Sequence, residues 1–191
     1  MDSRTRILDR IRSARVPKVA LPDLTAGKIA GDNLQMFSEM LVSIGGSIFR
    51  VGDYAEVQQH IVKQYAHASR IISVVPDLPW FQSNFSSDPH DFQDVDLVVM
   101  NGHFAVAENG AIWLTDDLMG DRSLPFITQH LALVVPASEI ISTLSEAYER
   151  ITRLSFQFGT FIAGPSKTAD IEQSLVLGAH GPKSLTVFLM K

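Results

Sequence analysis

The sequence contains no cysteine. That excludes disulfides, thiolate zinc sites, cysteine-ligated iron–sulfur clusters and cysteine nucleophiles. Long apolar runs are also missing. No uninterrupted stretch approaches the roughly 18–20 residues of a membrane-spanning helix, so no span is expected. Positive charge is scarce: 16 Lys+Arg against 21 Asp+Glu give a net charge of −5. A general nucleic-acid binder needs a cationic face, so that class is disfavoured. The opening MDSRTRILDRIRSAR has no apolar segment of the kind a secretory signal needs, which predicts a cytoplasmic location. Gly-x-Ser-x-Gly, Gly-x-x-x-x-Gly-Lys and His-Glu-x-x-His are all absent. Their absence disfavours an α/β-hydrolase, a Walker A loop and a zincin. The histidines show no chelating spacing either: His60 and His67 fall two helical turns apart, and His90, His103 and His130 stand alone. No intrinsic metal site is expected.

What is present is globular. Hydrophobic residues make up 46% and charged residues 19% of 191 residues, enough to bury roughly 70% of the unfolded surface in one domain. Ile7, Leu8 and Ile11 recur at helical spacing within residues 3–14, but the stripe is thin and predicts packing on another chain or a second copy. Pro17, Pro22, Gly27 and Gly31 mark a linker, so residues 1–31 read as an arm and 32–191 as the domain.

From Asp32 the pattern alternates. Leu34, Phe37, Met40, Leu41 and Ile44 predict a helix stopped by Gly45-Gly46. Residues 47–51 predict a strand, Asp53 and Glu56 cap a helix reaching about Ala66, and 71–75 predict a strand. Residues 76–93 form a long loop carrying Trp80, Phe81 and Phe85. Further strands are expected at 95–100, 111–115, 131–135, 160–163 and 185–189, with a helix capped by Ser138 and carrying Ile141, Leu144, Ala147, Tyr148 and Ile151. Near-continuously apolar strands separated by amphipathic helices predict an α/β fold with a mainly parallel sheet.

Three polar clusters stand out. Gly164-Pro165-Ser166-Lys167-Thr168-Ala169-Asp170-Ile171-Glu172 follows an apolar strand and offers hydroxyls, a cation and backbone N–H groups suited to a phosphate or carboxylate. Gly178-Ala179-His180-Gly181-Pro182-Lys183 flanks a histidine with glycines that allow close backbone approach. Glu108-Asn109-Gly110 sets a carboxylate before a tight turn, where it serves either as base or nucleophile or as a brace for the turn. Each lies beside a predicted apolar strand, so Glu108, Ser166, Lys167, Thr168, Asp170, Glu172 and His180, with Gly164 and Gly181, are expected to converge on one pocket beyond the strand ends. In it Lys167 neutralises an anion, Ser166 and Thr168 donate to it, and His180 relays a proton.

These residues resemble a known family. Gly164 through Glu172, the Leu175-Val176-Leu177 run and Gly178-Ala179-His180-Gly181-Pro182 are similar to the signature of the LUD domain, the lactate utilization protein C family. Its usual form is Gly-Pro-Ser-Arg/Lys-Thr-Ala-Asp-Ile-Glu, a Val/Leu strand, then Gly-x-His-Gly-Pro. Asp96 to Leu114 resembles the family's middle segment, with Glu108-Asn109-Gly110 in place of Glu-Thr-Gly and bulkier Ala111, Ile112 and Trp113 after it. The resemblance implies a Rossmann-like sheet of the NagB/RpiA/CoA-transferase type. It implies a part in oxidising lactate to pyruvate beside iron–sulfur partner proteins that carry the clusters this cysteine-free chain cannot hold. It also implies a small organic acid or phosphate-like anion as ligand; a homo-oligomer stays open. Within the same superfamily, Glu108-Asn109-Gly110 is similar to the turn of class I CoA-transferases. That supports an alternative enzyme, CoA-transferase-like or acting on a phosphometabolite, with Glu108 as nucleophile. A non-catalytic scaffold or regulatory subunit is the third reading.

Overall fold

The computed structural model describes residues 2–14, 20, 31–79, 88–169 and 175–191. Helix α1 (Ser3–Ser13) follows Asp2 and buries no residue. Ile7 and Ile11 stay 57% and 62% exposed, so the thin apolar stripe has no cover among the described residues. Helix α2 (Asn33–Ser43) is capped by Asp32, whose Oδ1 accepts from Leu34 N at 2.9 Å. It stops as expected: Gly45 turns to φ +93°, Gly45 N donates to Val42 O, and Gly46 N donates to Leu41 O. Helix α3 (Tyr54–Gln64) opens with the anticipated reciprocal cap, Glu56 N donating to Asp53 and Gly52 N donating to Glu56.

The central sheet is parallel throughout. Strands β1 (Ser47–Val51), β2 (Ile71–Ser73), β3 (Leu97–Asn101), β6 (His130–Pro136) and β11 (Ser184–Met190) are ordered β1-β11-β6-β3-β2. The apolar runs conceal a period of two. Val98, Met100, Leu131, Leu133, Val135 and Val187 face one way and pack with Phe37 and Leu41 of α2. Leu97, Val99, Ala132, Val134 and Phe188 face the other way, against Val57 and Ile61 of α3.

A second sheet covers the α2 side, and here the structure corrects the linear reading. Strands β4 (Phe104–Val106), β5 (Ala111–Thr115), β7 (Ile140–Ile141) and β8 (Gly159–Ile162) run in the order β7-β4-β5-β8. The β4–β5 and β5–β8 pairs are antiparallel and β4–β7 is parallel. Ala105, Ala107, Ile112 and Leu114 share the central core. Phe104, Val106 and Trp113 face outward under α6 (Leu144–Ile151). Ser138 does not cap that helix. It lies in a 3₁₀ turn, the β-branched Ile140-Ile141 pair extends the sheet, and Thr143 caps α6 by accepting from Glu146 N. Short helices α4 (Asp116–Met119) and α5 (Leu124–Ile127) link β5 to β6. Strands β9 (Lys167–Ala169) and β10 (Leu175–Leu177) form an antiparallel hairpin. Trp80, Phe81 and Phe85 lie outside the described residues. No helix among the described residues is long and apolar enough to cross a membrane.

Candidate functional site

The signature segments are tied together through Ser166. Its N donates to Pro182 O at 2.9 Å and its carbonyl accepts from Gly178 N at 3.1 Å. Gly181 lies so close that a Cβ there would stand 3.1 Å from Ser166 Cβ. Gly178 adopts φ +77°, and a Cβ would meet Lys183 Cγ at 2.3 Å, so only glycine allows the loop to fold back. Lys183 N is held by Gln129 O at 2.8 Å. Between this loop and residues 123–129 opens a cleft of about 610 Å³, lined by Ser123, Phe126, Gln129, Gly178, His180 and Gly181 among others. His180 is exposed at its rim.

The cleft sits where β6 and β11 begin, at the amino ends of the parallel strands, not beyond their carboxyl ends. The expectation failed because β8, which leads into Gly164, belongs to the second sheet and runs antiparallel to β5. The rule for ligands at carboxyl ends applies to parallel strands.

Glu108 sits elsewhere. Its Oε2 accepts from Leu144 N at 2.7 Å, holding the first amide of α6. Asn109 Oδ1 accepts from Ala111 N at 3.1 Å. Gly110, at φ +68°, presses on Leu41 and Ile44. Gly164, at φ +71°, presses on Ile44 O. The Glu108–Gly110 and Gly164 turns therefore share a seat at the end of α2, although Glu108 does not line the His180 cleft. Lys167 is exposed, and its Nζ lies beside Gly45 at that same helix end, a favourable place for a cation. Thr168 pairs with Val176 in the hairpin. Asp170 and Glu172 lie outside the described residues. No group of three or more potential metal ligands occurs among the described residues.

The carboxyl ends of β3, β6 and β11 hold a second, smaller cavity of about 280 Å³, lined by Tyr54, Asn101, His103, Leu118, Pro136 and Met190 among others. His103 Nε2 hydrogen-bonds Thr115 Oγ1, and Thr115 Oγ1 donates to Asp117 Oδ1. Burial pulls the His103 pKa down; Asp117 works against that and Arg150 with it. Burial and Asp77 push the Tyr54 pKa up. Sequence reasoning passed over this cluster. The available signal was Asn101-Gly102-His103 directly after an apolar strand.

Comparison with known proteins bears on all of this. The LUD domain family model matches residues 77–190, well over half of the chain. The chain belongs to the LUD domain family. Lactate utilization protein C of Shouchella clausii is 30% identical over 92 residues, covering 46% of this chain and 40% of that protein. The chain thus spans less than half the length of that relative. Lactate utilization protein C of Deinococcus radiodurans is 28% identical over 170 residues, covering 82% of this chain and 79% of that protein. The crystal structure of a DUF162 family protein from Deinococcus radiodurans superimposes with a TM-score of 0.62 at 22% identity, over 83% of this chain and 96% of that one. At that identity the likeness speaks for the fold, which is the α/β fold with a mainly parallel sheet anticipated above.

In this LUD domain the expected site residues therefore fall into two groups that meet at Ser166. Gly181 and His180 line the cleft with Ser166 packed behind Gly181, while Gly164, Lys167 and the Glu108 turn gather on the end of α2.

Proposed function

We propose that this LUD domain serves lactate utilization as a lactate utilization protein C-like subunit, taking part in the oxidation of lactate to pyruvate with iron–sulfur partner proteins. The cleft between the His180 loop and residues 123–129 takes a small organic acid or phosphate-like anion. The observation that carries this reading is the Ser166 junction, which ties the first half of the signature to the Gly178–Gly181 loop that lines the cleft. Relatives named lactate utilization protein C support the pathway.

Oxidising lactate to pyruvate releases two electrons and two protons. A chain without cysteine holds no cysteine-ligated cluster, so the electrons pass to partners. His180 accepts the hydroxyl proton, the α-carbon's hydrogen leaves as the second proton while its bonding electron pair passes to the partner proteins, and Ser166 and Thr168 donate to the carboxylate. Lys167 contributes positive potential. Glu108 acts as a brace, since its carboxylate already holds the Leu144 amide.

The test is reconstitution. The full chain is purified with the iron–sulfur proteins, and lactate-dependent dye reduction is measured with and without it, and with His180→Ala. The reading expects co-purification and dye reduction that depends on the chain and falls with the variant. Dye reduction indifferent to the chain overturns it. So does a Glu108 thioester trapped by hydroxylamine, which would mark a CoA-transferase.

A further inference from the structure

The carboxyl-end cavity is separate from the signature cleft and lies at the opposite edge of the parallel sheet. Its polar atoms can be assigned as donors or acceptors. Asp117 only accepts while ionised, so the single Thr115 hydroxyl proton goes to it. Thr115 Oγ1 must then receive the hydrogen of His103 Nε2. That fixes the Nε2–H tautomer and leaves Nδ1 as an acceptor on a neutral ring. Burial, which lowers the ring's pKa, favours that neutral form. Nearby, Tyr54 Oη donates to Asn101 Oδ1 at 3.5 Å, leaving the Asn101 amide hydrogens as donors and the Tyr54 oxygen as an acceptor. Gly102 is locked between them, because a Cβ there would come within 2.5 Å of Ile112 Cγ2.

The charge balance selects the ligand class. Among the described residues no cation lines the wall. Asp117 Oδ1 stands 4.0 Å from His103 Nε2, and Asp77 acts on Tyr54. Arg150, a cation acting on His103, is already paired with Glu139 at 2.5 Å and stacked over Phe104. An anion would therefore lie near Asp117 and Asp77, which act on the lining His103 and Tyr54, with no lining cation among the described residues to compensate. Hydroxyl groups, which both donate and accept, match a wall that alternates acceptor and donor. A volume of about 280 Å³ falls just below the about 300 Å³ at which drug-sized ligand sites begin, so it suits only a small ligand. Carboxyl ends of parallel strands are where such sheets place ligands.

We propose that this cavity binds a small uncharged polyol of triol to pentose size, one hydroxyl donating to His103 Nδ1 and a neighbouring one accepting from the Asn101 amide. It is a second site, independent of the lactate reading.

The experiment is NMR on the full chain. Two-bond ¹H–¹⁵N correlations report the His103 tautomer. D-ribose and glycerol are then titrated, with L-lactate as the anionic control. The proposal expects the Nε2–H tautomer and saturable shifts at Asn101, His103 and Tyr54 with ribose or glycerol, but none there with lactate. His103→Gln should weaken ribose or glycerol binding about tenfold, as loss of a neutral hydrogen bond would. If that variant is unfolded, Asn101→Ala provides the same readout. An Nδ1–H tautomer overturns the proposal, as does the absence of saturable shifts with both polyols, or shifts at these residues with lactate alone.

Discussion

At Gly164 the backbone takes φ +71°, and a methyl group there would stand 2.9 Å from the Ile44 carbonyl oxygen. Gly164→Ala should therefore cost about 2 kcal/mol, from left-handed strain plus a backbone clash that cannot relax cheaply. Urea unfolding measures it, and an unchanged midpoint would contradict the packing described. His130 and His103 predict a pH effect. Burial lowers both pKa values, with Lys183 adding to it at His130 and Arg150 at His103, against the opposing pulls of Asp96 and Asp117. Below the unfolded value of 6.5, the unfolded chain takes up these protons before the folded one does. Stability should therefore rise with pH through that window and be lost as pH falls from neutrality towards 5. His130→Gln should flatten the slope, and a slope identical to that of the parent chain would sink the assignment. At this scale the sequence was informative: the glycines, Ser166 and His180 announced themselves by type and spacing. It did not show that Glu108 spends its carboxylate on an α6 amide, because Leu144 is distant in sequence.

Helix termini were legible where the chemistry is local. Asp53 with Glu56 reaches amides three and four residues away and forms as read, and Asp32, not singled out as a cap, holds the amide two residues on. The start of α6 was misplaced because Ser138 competed with the true cap. The signal was present in Thr143-Leu144-Ser145-Glu146, and Glu146 Oε2 indeed receives Ser142 N at 3.1 Å. Strand β4 was missed because three residues between Gly102 and the Glu108 turn are too few to show a period. Helix α6 also carries a prediction. Glu108→Ala strips an acceptor from its first turn and should cost about 1 kcal/mol, whereas Glu108→Gln, which keeps an oxygen there, should cost less. Denaturant midpoints of the two variants decide it; equal losses would contradict the brace.

For the whole molecule, the sequence carried the class and concealed the arrangement. Strands buried on both faces read as uniform apolar runs, so the two faces and the two sheets could not be separated. Whether β8 ran with or against its neighbours was invisible for the same reason, and that orientation decides which edge of the fold carries the signature. Once folded, the Ser166 junction sits at the amino edge and the His103 cavity at the carboxyl edge, with the central core between them. The central claim concerns the first of these. Titration calorimetry of L-lactate and pyruvate into the full chain, beside His180→Ala, tests it most directly. The account predicts saturable one-to-one binding that the variant weakens about tenfold, as the loss of one hydrogen bond would. Equal affinity in both proteins, or no binding of either acid, would contradict it.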